Sequence, residues 1–117
     1  MEMIKKAYKA LDDQKARDIK LIDVKNVSPI TDYMILATAE TERHAKKLAE
    51  NVKKELKKED LMYSHMDGYD TGKWIIMDYF DFLVHIFIQQ KREYYDIDNL
   101  FRDTEVIKIN DWYLFFW

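Results

Sequence analysis

No cysteine occurs in the 117 residues, which excludes disulfides and thiolate metal sites and fits a reducing compartment. Glycine is present only twice and proline once, too few for a phosphate-cradling loop and consistent with regular elements joined by short links. Long apolar runs are missing as well: nothing approaches the roughly 20 residues of a membrane span. The opening MEMIKKAYKALDD is charged throughout, unlike a secretory leader, so a cytoplasmic protein without membrane contact is expected. Positive charge is not in excess. A net charge of −3 gives no overall pull toward nucleic acid, which leaves only local lysine clusters as candidate basic faces.

What is present is the raw material of one core. Hydrophobic residues make up 48% of the chain and charged residues 35%, in a length typical of a single domain. Residues 3–16 place Ile4, Ala7, Tyr8 and Leu11 at helical intervals. The β-branched stretch 17–24 reads as a strand broken by Asn26, Ser28 and Pro29, and Tyr33–Thr38 reads as a second, interior strand hairpinned to the first. Thr41 is placed to cap a helix carrying the apolar stripe Ala45, Leu48, Ala49, Val52 and Leu56. Its other face bears Lys46, Lys47, Lys53, Lys54, Lys57 and Lys58, with Glu50, Glu55 and Glu59 interspersed as on an ordinary solvated helix. A short edge strand at Leu61–Met66, glycines at 68 and 72, a strand over 73–79, a tight turn near Tyr79, Phe80 and Asp81, and a strand over 82–88 follow. The stretch 89–101 reads as helix, and the aromatic tail beyond it either adds a strand or covers exposed core.

Within the stretch MDYFDFLVHIF, Asp78, Asp81 and His85 suggest a metal site or an acid–base pair. Hairpin geometry weakens this, because His85 lies about 10 Å along the strand from the turn at roughly 3.3 Å per residue. The aspartates are better suited to accepting backbone N–H groups at the turn, and His85 to a partly buried strand position. No nucleophile elbow and no His-Glu-x-x-His pair occurs elsewhere. Tyr69, Trp74, Tyr79, Phe80, Tyr94 and Tyr95 exceed what so small a core accommodates, and an aromatic-edged strip along the fourth strand fits a docking surface.

The strings SPITDYMILATAETERHAKKLAENV and GKWIIMDYFDFLVHIFIQQKREYYDIDNLF resemble the ribosomal silencing factor, or Iojap, family. Ser28, Ile30, Thr31, Asp32, Tyr33, Arg43, His44, Gly72, Trp74, Asp78, Asp81, Val84, His85, Phe87, Arg92, Glu93, Tyr94 and Tyr95 carry the likeness in order and spacing. The resemblance implies a single α/β domain over residues 1–101, with a mixed, mostly five-stranded sheet between helices, and an aromatic tail, 102–117, packed on it. The fold is related to nucleotidyltransferases but lacks their catalytic pattern, so no catalytic residue, metal or cofactor is implied. The implied activity is repression of translation under nutrient limitation: the protein binds large-subunit ribosomal protein fourteen on the large ribosomal subunit and sterically blocks joining of the small subunit. The partner-contact residues carried over are Trp74, Ile76, Asp78, Tyr79 and Asp81, with Arg43, His44 and Tyr95 more peripheral. Two other readings stay open: a metal-dependent nucleotidyltransferase-like enzyme using Asp78 and Asp81, and an rRNA-binding module on the lysine face, which would also serve as a peripheral rRNA contact. The tail is open to covering the sheet edge, to a homodimer contact in the free protein or to extending the ribosomal interface. Relatives usually carry glycine at positions 80 and 39 and tryptophan at 101, where this chain has Phe80, Ala39 and Phe101. If position 80 is left-handed, a phenylalanine there costs on the order of 1 kcal/mol unless the turn changes type or the ring gains compensating contacts.

Overall fold

The computed structural model describes residues 1–102 and 104–107. In chain order these form α1 (Glu2–Asp13), β1 (Arg17–Asp23), β2 (Tyr33–Ala39), α2 (Glu42–Lys57), β3 (His65–Asp67), β4 (Trp74–Asp78), β5 (Phe82–Ile88), α3 (Gln89–Tyr94), α4 (Ile97–Leu100) and β6 (Glu105–Ile107). The strands make one mixed sheet in the order β3-β4-β5-β2-β1-β6. Only the β2–β5 pair is parallel, as a crossover through α2 requires, while the other pairs are antiparallel.

Local chemistry sets the boundaries. Thr41 accepts the His44 backbone N–H at 3.0 Å, the cap expected of it, and Glu42 sits in the first turn of α2 at the positive end of the helix dipole. Ile4, Ala7, Ala10 and Leu11 of α1 and Ala45, Leu48, Ala49, Val52 and Leu56 of α2 bury two matching stripes. These stripes close on Leu21, Ile35, Ala37, Ile75, Met77, Val84 and Ile86, which point to one face of the sheet. Gly68 takes φ +79° in the β3–β4 connection, where an added Cβ would lie 2.0 Å from the Trp74 carbonyl oxygen, so only glycine lets the chain pass the start of β4.

Four expectations are corrected. The sheet has six strands, because residues 105–107 pair antiparallel with β1; the tail's last aromatics, beyond 107, lie outside the described residues. The edge strand is His65–Asp67 rather than 61–66, since Leu61 is drawn inward against the helix-covered core. The stretch 89–101 is two short helices, broken where Asp96 turns left-handed at φ 49°. Tyr79, expected on the contact surface, is only 3% exposed: continuing β4's alternation, it shares the helix-covered face with Ile75 and Met77. Its ring stacks on Phe82 at 5.1 Å and meets Tyr63 edge-on at 6.3 Å, and burial raises its phenol pKa.

Candidate docking face

On β4 the residues that alternate with the buried Ile75 and Met77, namely Trp74, Ile76 and Asp78, point to the opposite side of the sheet and stay half-buried. Cross-strand register places Trp74 opposite Phe87, Ile76 opposite His85 and Asp78 opposite Leu83. One strand further, Leu83 and His85 stand beside Met34 and Leu36, while on the edge Asp67 and His65 stand beside Ile76 and Asp78.

One half of this side is sealed. Ile22, Val24, Leu36, Phe87 and Ile97 form a second, smaller cluster with Met34, Trp74 and Phe101 packed on it. Arg92 of α3 locks that seal: its guanidinium is 4% exposed, donates to both Asp98 carboxylate oxygens, the Asp18 carbonyl and Thr38 Oγ1 at 2.8–2.9 Å, and lies 5.8 Å from the Phe87 ring centre. Lys20 adds a second ion pair to Asp98 at 2.7 Å. The Arg92 hydrogen bonds, with those of Lys20, hold the Asp98 carboxyl well below the usual carboxylate range.

The other half, carrying Ile76, Asp78 and Leu83, remains half-exposed. Trp74 stands at the boundary. It stacks parallel on Phe87 at 5.4 Å, meets Tyr95 at 5.4 Å, and donates its indole N–H to His85 Nδ1 at 3.1 Å. With Nδ1 accepting, the neutral imidazole carries its proton on Nε2, a buried atom with no hydrogen-bond partner among the described residues. Burial lowers the His85 pKa to about 4, so the ring is neutral at physiological pH and orients Trp74. Beyond Trp74, the exposed Tyr95 and Tyr94 contact each other edge-on, with Lys91 Nζ over both rings.

Among the described contacts only Asp78 uses its carboxylate as the turn requires, and Asp81 contributes its main-chain carbonyl. Asp78 Oδ1 accepts the Phe80 backbone N–H at 2.8 Å, and the Asp81 carbonyl accepts from the backbone N–H groups of Asp32 and Tyr33 at 3.2 Å, tying the turn to the start of β2. Among the described residues no three His, Asp or Glu side chains are placed to hold a metal ion.

Of the eight expected contact residues, Trp74, Ile76 and Asp78 share the half-open face, Tyr95 borders it, and Asp81 lies in the adjoining turn. Tyr79 faces away. Arg43 and His44 belong to the start of α2; both His44 ring nitrogens are used internally, Nδ1 accepting from Glu40 N–H and Nε2 donating to the Gln14 carbonyl. Sequence reasoning missed Leu83 and Met34, which reach this face only through the β4–β5–β2 register; their alternation within each strand was the available signal.

The sequence matches the model of the family described as "Ribosomal silencing factor during starvation" over residues 1–114. The chain belongs to the ribosomal silencing factor family. It is 34% identical over 99 residues to a ribosomal silencing factor of Chromobacterium violaceum, covering 85% of this chain and 81% of that one. It is also 27% identical over 93 residues to the mouse protein named mitochondrial assembly of ribosomal large subunit protein 1, covering 77% of this chain and 41% of that protein. A crystal structure of a Chromobacterium violaceum protein superposes with a TM-score of 0.82 at 34% identity, covering 85% of this chain and 82% of that one. For this ribosomal silencing factor, family membership implies a ribosome-associated silencing role, that of a regulator. None of its described helices is long and apolar enough to cross a membrane.

Proposed function

We propose that this ribosomal silencing factor works by binding alone: its half-open sheet face docks on large-subunit ribosomal protein fourteen, and the bound domain obstructs joining of the small subunit, slowing translation when nutrients are short. The observation that carries this is the strip Trp74, Ile76 and Asp78, half-buried on a face whose other half is sealed. An aromatic fixed on three sides, followed by an aliphatic and an acid, supplies a rigid apolar anchor and charge complementarity to a basic ribosomal protein. The mouse relative's name, which refers to the ribosomal large subunit, agrees with that choice of subunit. The cytoplasm is the matching compartment.

The test is sedimentation of the purified protein with isolated ribosomal subunits at moderate salt. The native protein is expected to travel with the large subunit and to reduce subunit joining. Ile76→Asp, altering a half-exposed side chain, is expected to lose at least about tenfold in affinity while keeping the fold. Trp74→Ala is expected to lose binding also, with some loss of stability because Phe87 and Tyr95 lose a stacking partner. Absence of native protein from the large-subunit fractions would refute the proposal.

A further inference from the structure

Phe80 combines two features that ordinary packing does not explain. Its backbone lies at φ 69°, in the left-handed region, where a Cβ-bearing residue with a bulky ring is disfavoured. Its side chain is 68% exposed, so no burial of the ring within the domain offsets that strain. The other non-glycine residues at positive φ among those described are Lys15, Asp18, Asp60 and Asp96, all polar and three of them aspartates, which tolerate this conformation better.

The turn is nevertheless held firmly. Asp78 Oδ1 accepts the Phe80 N–H, Tyr79 N–H donates to the Phe82 carbonyl at 3.0 Å, Asp81 N–H donates to the Tyr79 carbonyl at 2.9 Å, and the Asp81 carbonyl receives two N–H groups from the start of β2. Phe80 is thus presented on a fixed support, directly beyond Asp78 at the end of the Trp74–Ile76–Asp78 strip. Ile30, two residues before the Asp32 N–H that binds this turn, is 77% exposed and adds a second apolar group from the neighbouring loop. Asp32 and Asp81 are exposed and Asp78 half-exposed around them. Neighbouring Lys25 is already engaged with Asp23 and the Tyr33 hydroxyl, and the His65 ring with Asp67.

We infer that Phe80 is a docking anchor specific to this chain, inserting into an apolar socket rimmed by basic side chains on the ribosomal protein that the open face binds. This rests on the docking reading above. An apolar tip beside acids that make no salt bridge among the described residues fits a cationic protein surface, and a ring preorganised at the cost of local strain loses little entropy on binding. Stability and affinity should therefore respond in opposite directions to relief of the strain.

The test compares full-length Phe80→Gly, Phe80→Asn and Phe80→Leu with the native protein, reading the thermal midpoint and the affinity for purified large ribosomal subunits. Gly and Asn remove the ring and accept the left-handed backbone, so they are expected to raise the midpoint by a few degrees and weaken binding at least about tenfold. Leu keeps an apolar tip and the strain, so it is expected to leave the midpoint unchanged and affinity within a few-fold of native. A lower midpoint for both Gly and Asn would show that the ring supports the fold, and native-strength binding by both would show that it does not dock; either result overturns the anchor. If native protein binds and these variants bind equally, only the anchor falls, whereas failure of the native protein to bind removes the docking reading and the anchor together.

Discussion

The two faces of the sheet are built on different principles. The face under α1 and α2 is closed by aliphatic side chains from every strand it covers, with Ile35, Ala37, Ile75, Met77, Val84 and Ile86 all at 0% exposure. The opposite face holds the buried polar residues of the sheet, Thr38 and His85, and the buried Arg92 that closes over it. Apolar burial is strong but directionless, whereas hydrogen bonds and ion pairs fix orientation. The first face therefore supplies stability, and the second uses directional contacts to hold aromatic groups at the edge of an unsealed patch.

The largest effect should come from breaking the lock on the second face. Arg92→Ala leaves Asp98 with Lys20 alone and Thr38 and the Asp18 carbonyl without a donor, and should cost about 3–5 kcal/mol in urea unfolding, at about 1–3 kcal/mol for each group left unsatisfied. That loss should come with weakened ribosome binding, since Trp74 and Tyr95 lose their support. On the first face, Leu48→Ala removes a side chain at 0% exposure and should cost about 2–5 kcal/mol. Affinity of the still-folded protein should barely change, which is the sharpest form of the contrast.

A smaller effect separates the faces by pH. His85 has a folded-state pKa of about 4 against an ordinary 6.5, so between those values the unfolded chain binds a proton that the native protein refuses. Stability should therefore be fully present above pH 6.5 and decline as pH falls toward 4, with a limiting slope of about 1.4 kcal/mol per pH unit. The Asp98 carboxyl is also depressed, so its contribution is lost only further down, as pH drops below the ordinary carboxylate range. Chemical unfolding between pH 7 and about 2 should show both losses, and in His85→Leu the decline should begin only in the carboxylate range. The smallest of the shifts is the gain of a few degrees expected at Phe80, on the half-open side.

Much of the fold was legible because its signals are local. The Thr41 cap, the stripes on α1 and α2 and the β4–β5 turn all depend on neighbours within a few positions. The left-handed backbone at position 80 was foreseen as a condition, from the glycine its relatives carry. The errors were of another kind. Tyr79 was placed on the contact strip because it is an aromatic beside a turn, yet β4's alternation continues through it and turns its ring inward. For residues 105–107 the sequence left a strand and a core cover both open, because what makes them a strand is the free edge of β1.

The sequence by itself determined the order and type of the main helices and strands, which stripes are apolar, that one core suffices, and the family to which the chain belongs. The stripes and the single core follow from periodicity, capping and composition, which act over a turn of helix or a few strand positions, whereas the family is carried by motifs in fixed order and spacing. Only the tertiary structure decided that Leu83 and Met34 join Ile76 on one face, that His85 is a neutral acceptor for Trp74, and that Arg92 from α3 reaches Asp18 in β1. Each of these depends on register and contact between segments far apart in the chain, and pairing at that distance is set by the closing of the whole core rather than by any single stretch.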